Sequence, residues 1–84
     1  MSYSIQILRR AQKELAQLSR QDYERIKEAV GNLSDDPRPQ GCKKLTGREG
    51  WRIRIGDYRV IYEIDDTKQI LTVLHIGHRR DVYK

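Results

Sequence analysis

Hydrophobic and polar positions change their period along this chain. Between residues 51 and 64 they alternate on either side of Gly56-Asp57. A two-residue turn signal with glycine at its first central position favours a type II′ hairpin. With those two residues as the loop, Ile55 pairs with Tyr58 and Arg54 lies opposite Arg59. Opposed residues share a side of a sheet, and successive residues alternate. One side then carries Trp51, Ile53, Ile55, Tyr58, Val60, Tyr62 and Ile64. The other carries Arg52, Arg54, Arg59, Ile61 and Glu63.

Upstream the pattern is helical. Residues 3–8 alternate weakly and predict a first strand, with Tyr3, Ile5 and Ile7 on one side. Residues 9–18 place Ala11, Leu15 and Leu18 at helical spacing. Ser19 followed by Asp22 resembles a capping box that opens a second helix. That helix runs to about Leu33, with Ile26, Val30 and Leu33 on its apolar stripe and Tyr23 at the margin. It ends before Pro37, since the residue preceding a proline avoids helical geometry. Pro37 and Pro39 make an extended connection to a short edge strand at 42–45, between Gly41 and Gly47. After a turn at 65–68, residues 69–76 are apolar on both sides, as in a central strand. Strand, helix pair, then strands: the segregation predicts one α+β domain over 1–84. An N-terminal strand and an antiparallel helix pair pack on a small antiparallel sheet, with the arginine side open to solvent.

Length and composition narrow the function. A chain of 84 residues buries only a modest core. No apolar run is long enough to cross a membrane. The first residues lack the layout of a signal peptide, so the default expectation is a cytoplasmic protein. Cys42 is the only cysteine, which leaves no internal disulfide and no cysteine cluster for zinc; it reads as a small half-buried residue. No cofactor or metal is expected. The formal net charge is +5. Residues 1–36 hold six basic and six acidic side chains, and residues 37–84 hold eleven basic and six acidic. The excess therefore lies in the predicted sheet, where it points to nucleic acid or to an acidic protein partner.

The candidate chemistry sits in that half. Arg52, Arg54 and Arg59 on adjacent strands repel one another, and a fold gains little from this. A polyanion uses them directly, because each guanidinium offers forked donors matched to phosphate oxygens. The second constellation is residues 77–84, GHRRDVYK. Gly77 permits a bend that swings these side chains over the arginine side. His78 is its near-neutral proton carrier, and Tyr83 is placed to stack on a base. Lys43, Lys44, Arg48 and Arg80 are further candidate RNA contacts. His75, inside the strand, reads as a satisfied half-buried histidine rather than a catalytic one. It lies opposite Tyr58 if the second turn has two residues at its tip. Trp51 and Tyr62 read as core, as does Tyr58 with its hydroxyl at a rim, and Glu63 as a solvated or ion-paired residue.

The helix pair is followed by KKLTG at 43–47, WRIRIGDYRVIY at 51–62 and HIGHRRDVY at 75–83. In this order and spacing the chain resembles the RelE/ParE toxin superfamily along nearly its whole length. The resemblance implies a RelE-like fold and a type II toxin, paired with an antitoxin protein that covers the basic surface. RelE-like members are messenger-RNA interferases that act at the ribosome and cut the A-site codon without a metal. The ribose 2′-hydroxyl attacks the adjacent phosphate, leaving a 2′,3′-cyclic phosphate and a 5′-hydroxyl. ParE-like members share the fold but inhibit DNA gyrase and are not nucleases. The resemblance assigns charge stabilisation and substrate orientation to Arg54 and Arg59, leaving-group assistance to Arg79 and base stacking to Tyr83, with Arg52 at another of the family's basic positions. RelE has lysines where this chain has Arg52 and Arg54. Arginine keeps its proton, so a lysine-type base is not expected here, and His78, beside Arg79, takes the acid–base role. Retention of the four arginines and Tyr83 favours the endoribonuclease; a gyrase-directed toxin is the alternative.

Overall fold

The computed structural model describes residues 2–47 and 49–78. Its elements run β1 (Ser4–Ile7), α1 (Arg9–Ala16), α2 (Arg20–Asn32), β2 (Lys43–Lys44), β3 (Trp51–Ile55), β4 (Tyr58–Asp65) and β5 (Ile70–His78). The strands form one sheet in the order β1-β5-β4-β3-β2. This is the expected α+β arrangement with one difference, since β1 runs parallel to β5 and the sheet is mixed. Parallel neighbours need a long connection, and here the whole helix pair and three strands supply it.

The core lies between the sheet and the helices. Ala11, Ile26, Val30 and Leu33 meet Ile53, Val60, Tyr62, Leu71, Val73 and Ile76. The apolar side of the hairpin predicted from alternation is thus the buried one, with Trp51, Ile55, Tyr58 and Ile64 packed at its margin and Cys42 half-buried beside them. Ser19 caps α2 as expected, its Oγ accepting the Asp22 N–H at 3.3 Å. Tyr62 is fully buried and donates its hydroxyl to the Pro37 carbonyl at 2.7 Å. Burial holds that phenol far above its ordinary titration range, so it stays a donor.

Two edges need cover, because an unpaired strand edge invites association. β2 is only two residues long, and both are exposed lysines. On the other side, β1 pairs with β5 only as far as Val73. Beyond that point α1 takes over the edge. Leu8 donates its backbone N–H to the Val73 carbonyl at 3.0 Å, and Glu14 Oε1 accepts the Ile76 N–H at 3.0 Å.

Candidate functional site

The hairpin has the register read from the sequence: Ile55 faces Tyr58 and Arg54 faces Arg59. Gly56 adopts a φ of +59°, and Asp57 is not among the positive-φ residues, the pattern of a type II′ turn. Arg52, Arg54 and Arg59 therefore share one side of the sheet. Lys43 lies opposite Arg52 and joins them, whereas Lys44 lies opposite Trp51 and falls on the other side. Gly77 faces Arg59 and puts no side chain on the row. Arg52, Arg59 and Ile61 are only 8%, 7% and 5% exposed, so the expectation of an arginine side open to solvent is corrected: its middle is packed in, and the row reaches solvent at the exposed Lys43 and Arg54. Arg54 is exposed at the edge of β3 beyond the reach of β2. It also lines a cavity of about 290 Å³ with Asp36, Pro39, Ile53 and Ile55.

The two histidines exchange places relative to the sequence reading. The second hairpin loop takes four residues, 66–69, since Asp65 pairs with Ile70. A β-bulge then leaves Leu74 without a partner on β4, with Tyr62 facing Val73 and Ile61 facing His75. The longer loop and the bulge together move the register by three residues, and an odd shift turns every side chain to the opposite side. His75, expected opposite Tyr58, instead faces Ile61 on the arginine side. His78 faces Tyr58, its ring edge-on to the tyrosine at 5.7 Å, on the helix side. The expectation that His78 overhangs the arginines is corrected by this register. Arg48, Arg79, Arg80 and Tyr83 lie outside the described residues.

His75 is half-buried and satisfied, as its position inside a strand suggested. Its Nδ1 lies 2.8 Å from Glu14 Oε1 and 2.6 Å from Oε2. No sequence signal pointed to Glu14, one charge among many on a helix surface. Only the approach of α1 to the β5 edge brings it to the histidine. Glu63 shares the arginine side but is exposed, opposite Thr72, and lines a hollow with Asp65 and Asp66. One end of this side is thus basic and the other acidic, and a polyanion is attracted only to the hairpin end. Among the described residues no group of three or more His, Cys, Asp or Glu is placed to hold a metal ion, and no helix is long and apolar enough to cross a membrane.

Known proteins resemble this chain in sequence and fold. A family described as "ParE toxin of type II toxin-antitoxin system, parDE" matches residues 5–83. Toxin RelG of Mycobacterium tuberculosis is 31% identical over 100% of this chain and 99% of its own length. Among solved structures, the archaeal RelE–RelB complex from Pyrococcus horikoshii OT3 is similar with a TM-score of 0.85 at 30% identity, covering 98% of this chain and 100% of that one. The isolated E. coli RelE toxin is similar with a TM-score of 0.81 at 28% identity, covering 98% and 92%. The chain belongs to the RelE/ParE superfamily, the toxins of type II toxin–antitoxin systems.

Proposed function

We propose that this RelE-like toxin is a ribosome-dependent endoribonuclease that cuts messenger RNA in the A site. The 2′-hydroxyl of the preceding ribose attacks the scissile phosphate, giving a 2′,3′-cyclic phosphate and a 5′-hydroxyl. The observation that carries this reading is the placement of Arg52, Arg54 and Arg59 on one side of the sheet, two of them packed into it. Guanidiniums held by packing before the substrate arrives need no reorganisation as charge builds on the phosphate oxygens, the condition under which fixed donors are most effective. Arg79 and Tyr83 follow directly in sequence from the strand beside that row, and they take the leaving-group and base-stacking roles. Arg48 and Arg80 remain proposed RNA contacts alongside Lys43; Lys44 serves only RNA that wraps the sheet edge.

The reaction takes place in the cytoplasm, where ribosomes are, and a cognate antitoxin masks the basic side between episodes. The Pyrococcus neighbour was solved with RelB bound, which supports such a partner here. Cell-free translation with purified toxin, followed by mapping of message ends, tests the reading. Breaks at ribosome-occupied codons with cyclic phosphate termini are expected. Intact message together with stalled gyrase would instead assign the chain to the ParE-like, gyrase-directed mode.

A further inference from the structure

We propose that His75, oriented by Glu14, is the proton acceptor of this site. The assignment rests on the nuclease reading above and supplies the group that reading lacks, because arginine does not give up its proton.

Three observations converge. The first is the side of the sheet. His75 faces Ile61, and Ile61 faces Arg52, so all three lie in one row on the arginine side. Arg59, two residues before Ile61, is the diagonal neighbour of His75. Diagonal positions are about 7–8 Å apart, within reach of long side chains. The second is orientation. A carboxylate only accepts, so Glu14 beside Nδ1 places the hydrogen of the neutral ring on that nitrogen and the lone pair on Nε2. Glu14 is itself anchored, by the Ile76 N–H at 3.0 Å and by Arg10 Nε at 3.6 Å. The third is the absence of a rival on this side among the described residues: Glu63 lies toward the acidic end, and His78 is turned to the helices.

The step balances without a co-reactant. Nε2 takes the 2′-hydroxyl proton as the 2′-oxygen bonds to phosphorus. The bond from phosphorus to the 5′-oxygen breaks, and that oxygen takes a proton from water. The hydroxide so formed is neutralised by the proton His75 returns to solvent. Among the described residues, the charged groups on the elements around the imidazole are Glu14 and, behind it, Arg10 on α1, Arg59 on β4 and Arg52 on β3. The stretch of β1 that pairs with β5 brings none.

Single-turnover cleavage on programmed ribosomes, measured across pH, tests the assignment with the full chain. His75→Asn removes the acceptor. Glu14→Gln keeps a carbonyl for the Ile76 N–H but no longer offers the imidazole a carboxylate. Folding of each variant is established by circular dichroism and by antitoxin binding. His75→Asn is expected to slow cleavage by about a hundredfold or more and to abolish the fall in rate on acidification that an imidazole base imposes. Glu14→Gln is expected to lower the single-turnover rate at saturating ribosome without raising the half-saturating ribosome concentration, as loss of a positioning residue would; should His75→Asn not fold, His75→Gln takes its place. If the unsubstituted toxin cleaves and the folded His75 variant keeps its pH profile, even at reduced rate, His75 is not the acceptor while the nuclease reading stands. No cleavage by the unsubstituted toxin overturns the nuclease reading and the assignment with it.

Discussion

Arg54 and Arg59 face each other across the hairpin but lie in different surroundings, Arg59 packed to 7% exposure and Arg54 open to solvent at the strand edge. Packing fixes the direction of a guanidinium, and fixed donors contribute most where charge develops. Arg59→Ala is therefore expected to raise the cleavage barrier by about 2–4 kcal/mol, the range for losing one preorganised donor. Arg59→Lys should recover little, because a point charge lacks the planar fork. Arg54→Lys should retain more of its activity. Single-turnover rates, with antitoxin affinity as the check on folding, compare the three.

The turn that aims these arginines depends on Gly56. Its φ is +59°, and a Cβ built there would meet the Arg25 guanidinium at 3.2, 3.3 and 3.5 Å. Arg25 is the end of a flexible side chain and can withdraw, so the backbone dominates the cost. An L-residue at the first central position of a type II′ turn, where glycine is strongly preferred, costs roughly 1–3 kcal/mol. Gly56→Ala should lower stability by about that amount in urea denaturation and should slow cleavage by loosening the hairpin tip.

The parts of this molecule that depend on local pattern were legible in the sequence. Alternation and a two-residue turn sufficed for the register of β3 on β4, hence for the shared side of Arg52, Arg54 and Arg59. The Ser19 cap and the apolar stripe of α2 were legible for the same reason. The register of β5 was not. It depends on a four-residue loop and on a bulge at Leu74, beside the point where Glu14 of α1 takes the Ile76 N–H. Both histidines changed sides as a result. The parallel pairing of β1 was hidden too, because a weakly alternating tetrapeptide carries no mark of which distant strand it will join. Arg38 carried no signal at all, yet the extended segment between the two prolines sets it over the Trp51 ring at 5.1 Å and onto Asp66.

Gln69 offers a gain in stability away from the site. It closes the β4–β5 loop with a φ of +55°, alone among the described non-glycine residues in having a positive φ. Such a conformation costs an L-residue about 1 kcal/mol or more. Glycine adopts it freely, at some entropic cost in the unfolded chain. Gln69→Gly should raise the urea midpoint by the equivalent of a few tenths to about 1 kcal/mol without altering the cleavage rate. The bond from the Ser4 N–H to the residue 69 carbonyl is retained, since it uses only the backbone.

Asp66, in the β4–β5 loop, ties the long 34–42 connection to that loop and to Tyr3 at the start of β1. Its carboxylate accepts from Arg38 at 2.8 and 3.2 Å and from the Tyr3 hydroxyl at 2.7 Å. Arg38 above all, and then Tyr3, hold the Asp66 carboxyl below its ordinary range, while the same carboxylate raises the Tyr3 phenol. The two shifts act at opposite ends of the pH scale. A carboxyl whose folded value is depressed contributes stability above the ordinary aspartate value near about 4, lost as pH falls toward the depressed value. A phenol whose folded value is raised contributes stability below about 10, lost as pH rises through the raised value. Arg38 and Asp66 are exposed and Tyr3 is only half-buried, so the contribution is small and salt-screened. Asp66→Asn should therefore flatten both limbs of the stability–pH curve, more clearly at low ionic strength. Trp51 is the only tryptophan and lies under the Arg38 guanidinium, so its fluorescence should change on acidification in the natural sequence and stay constant in the Asp66→Asn variant. A fluorescence change of the same size in both proteins would show that the Arg38–Asp66 pair does not hold this segment.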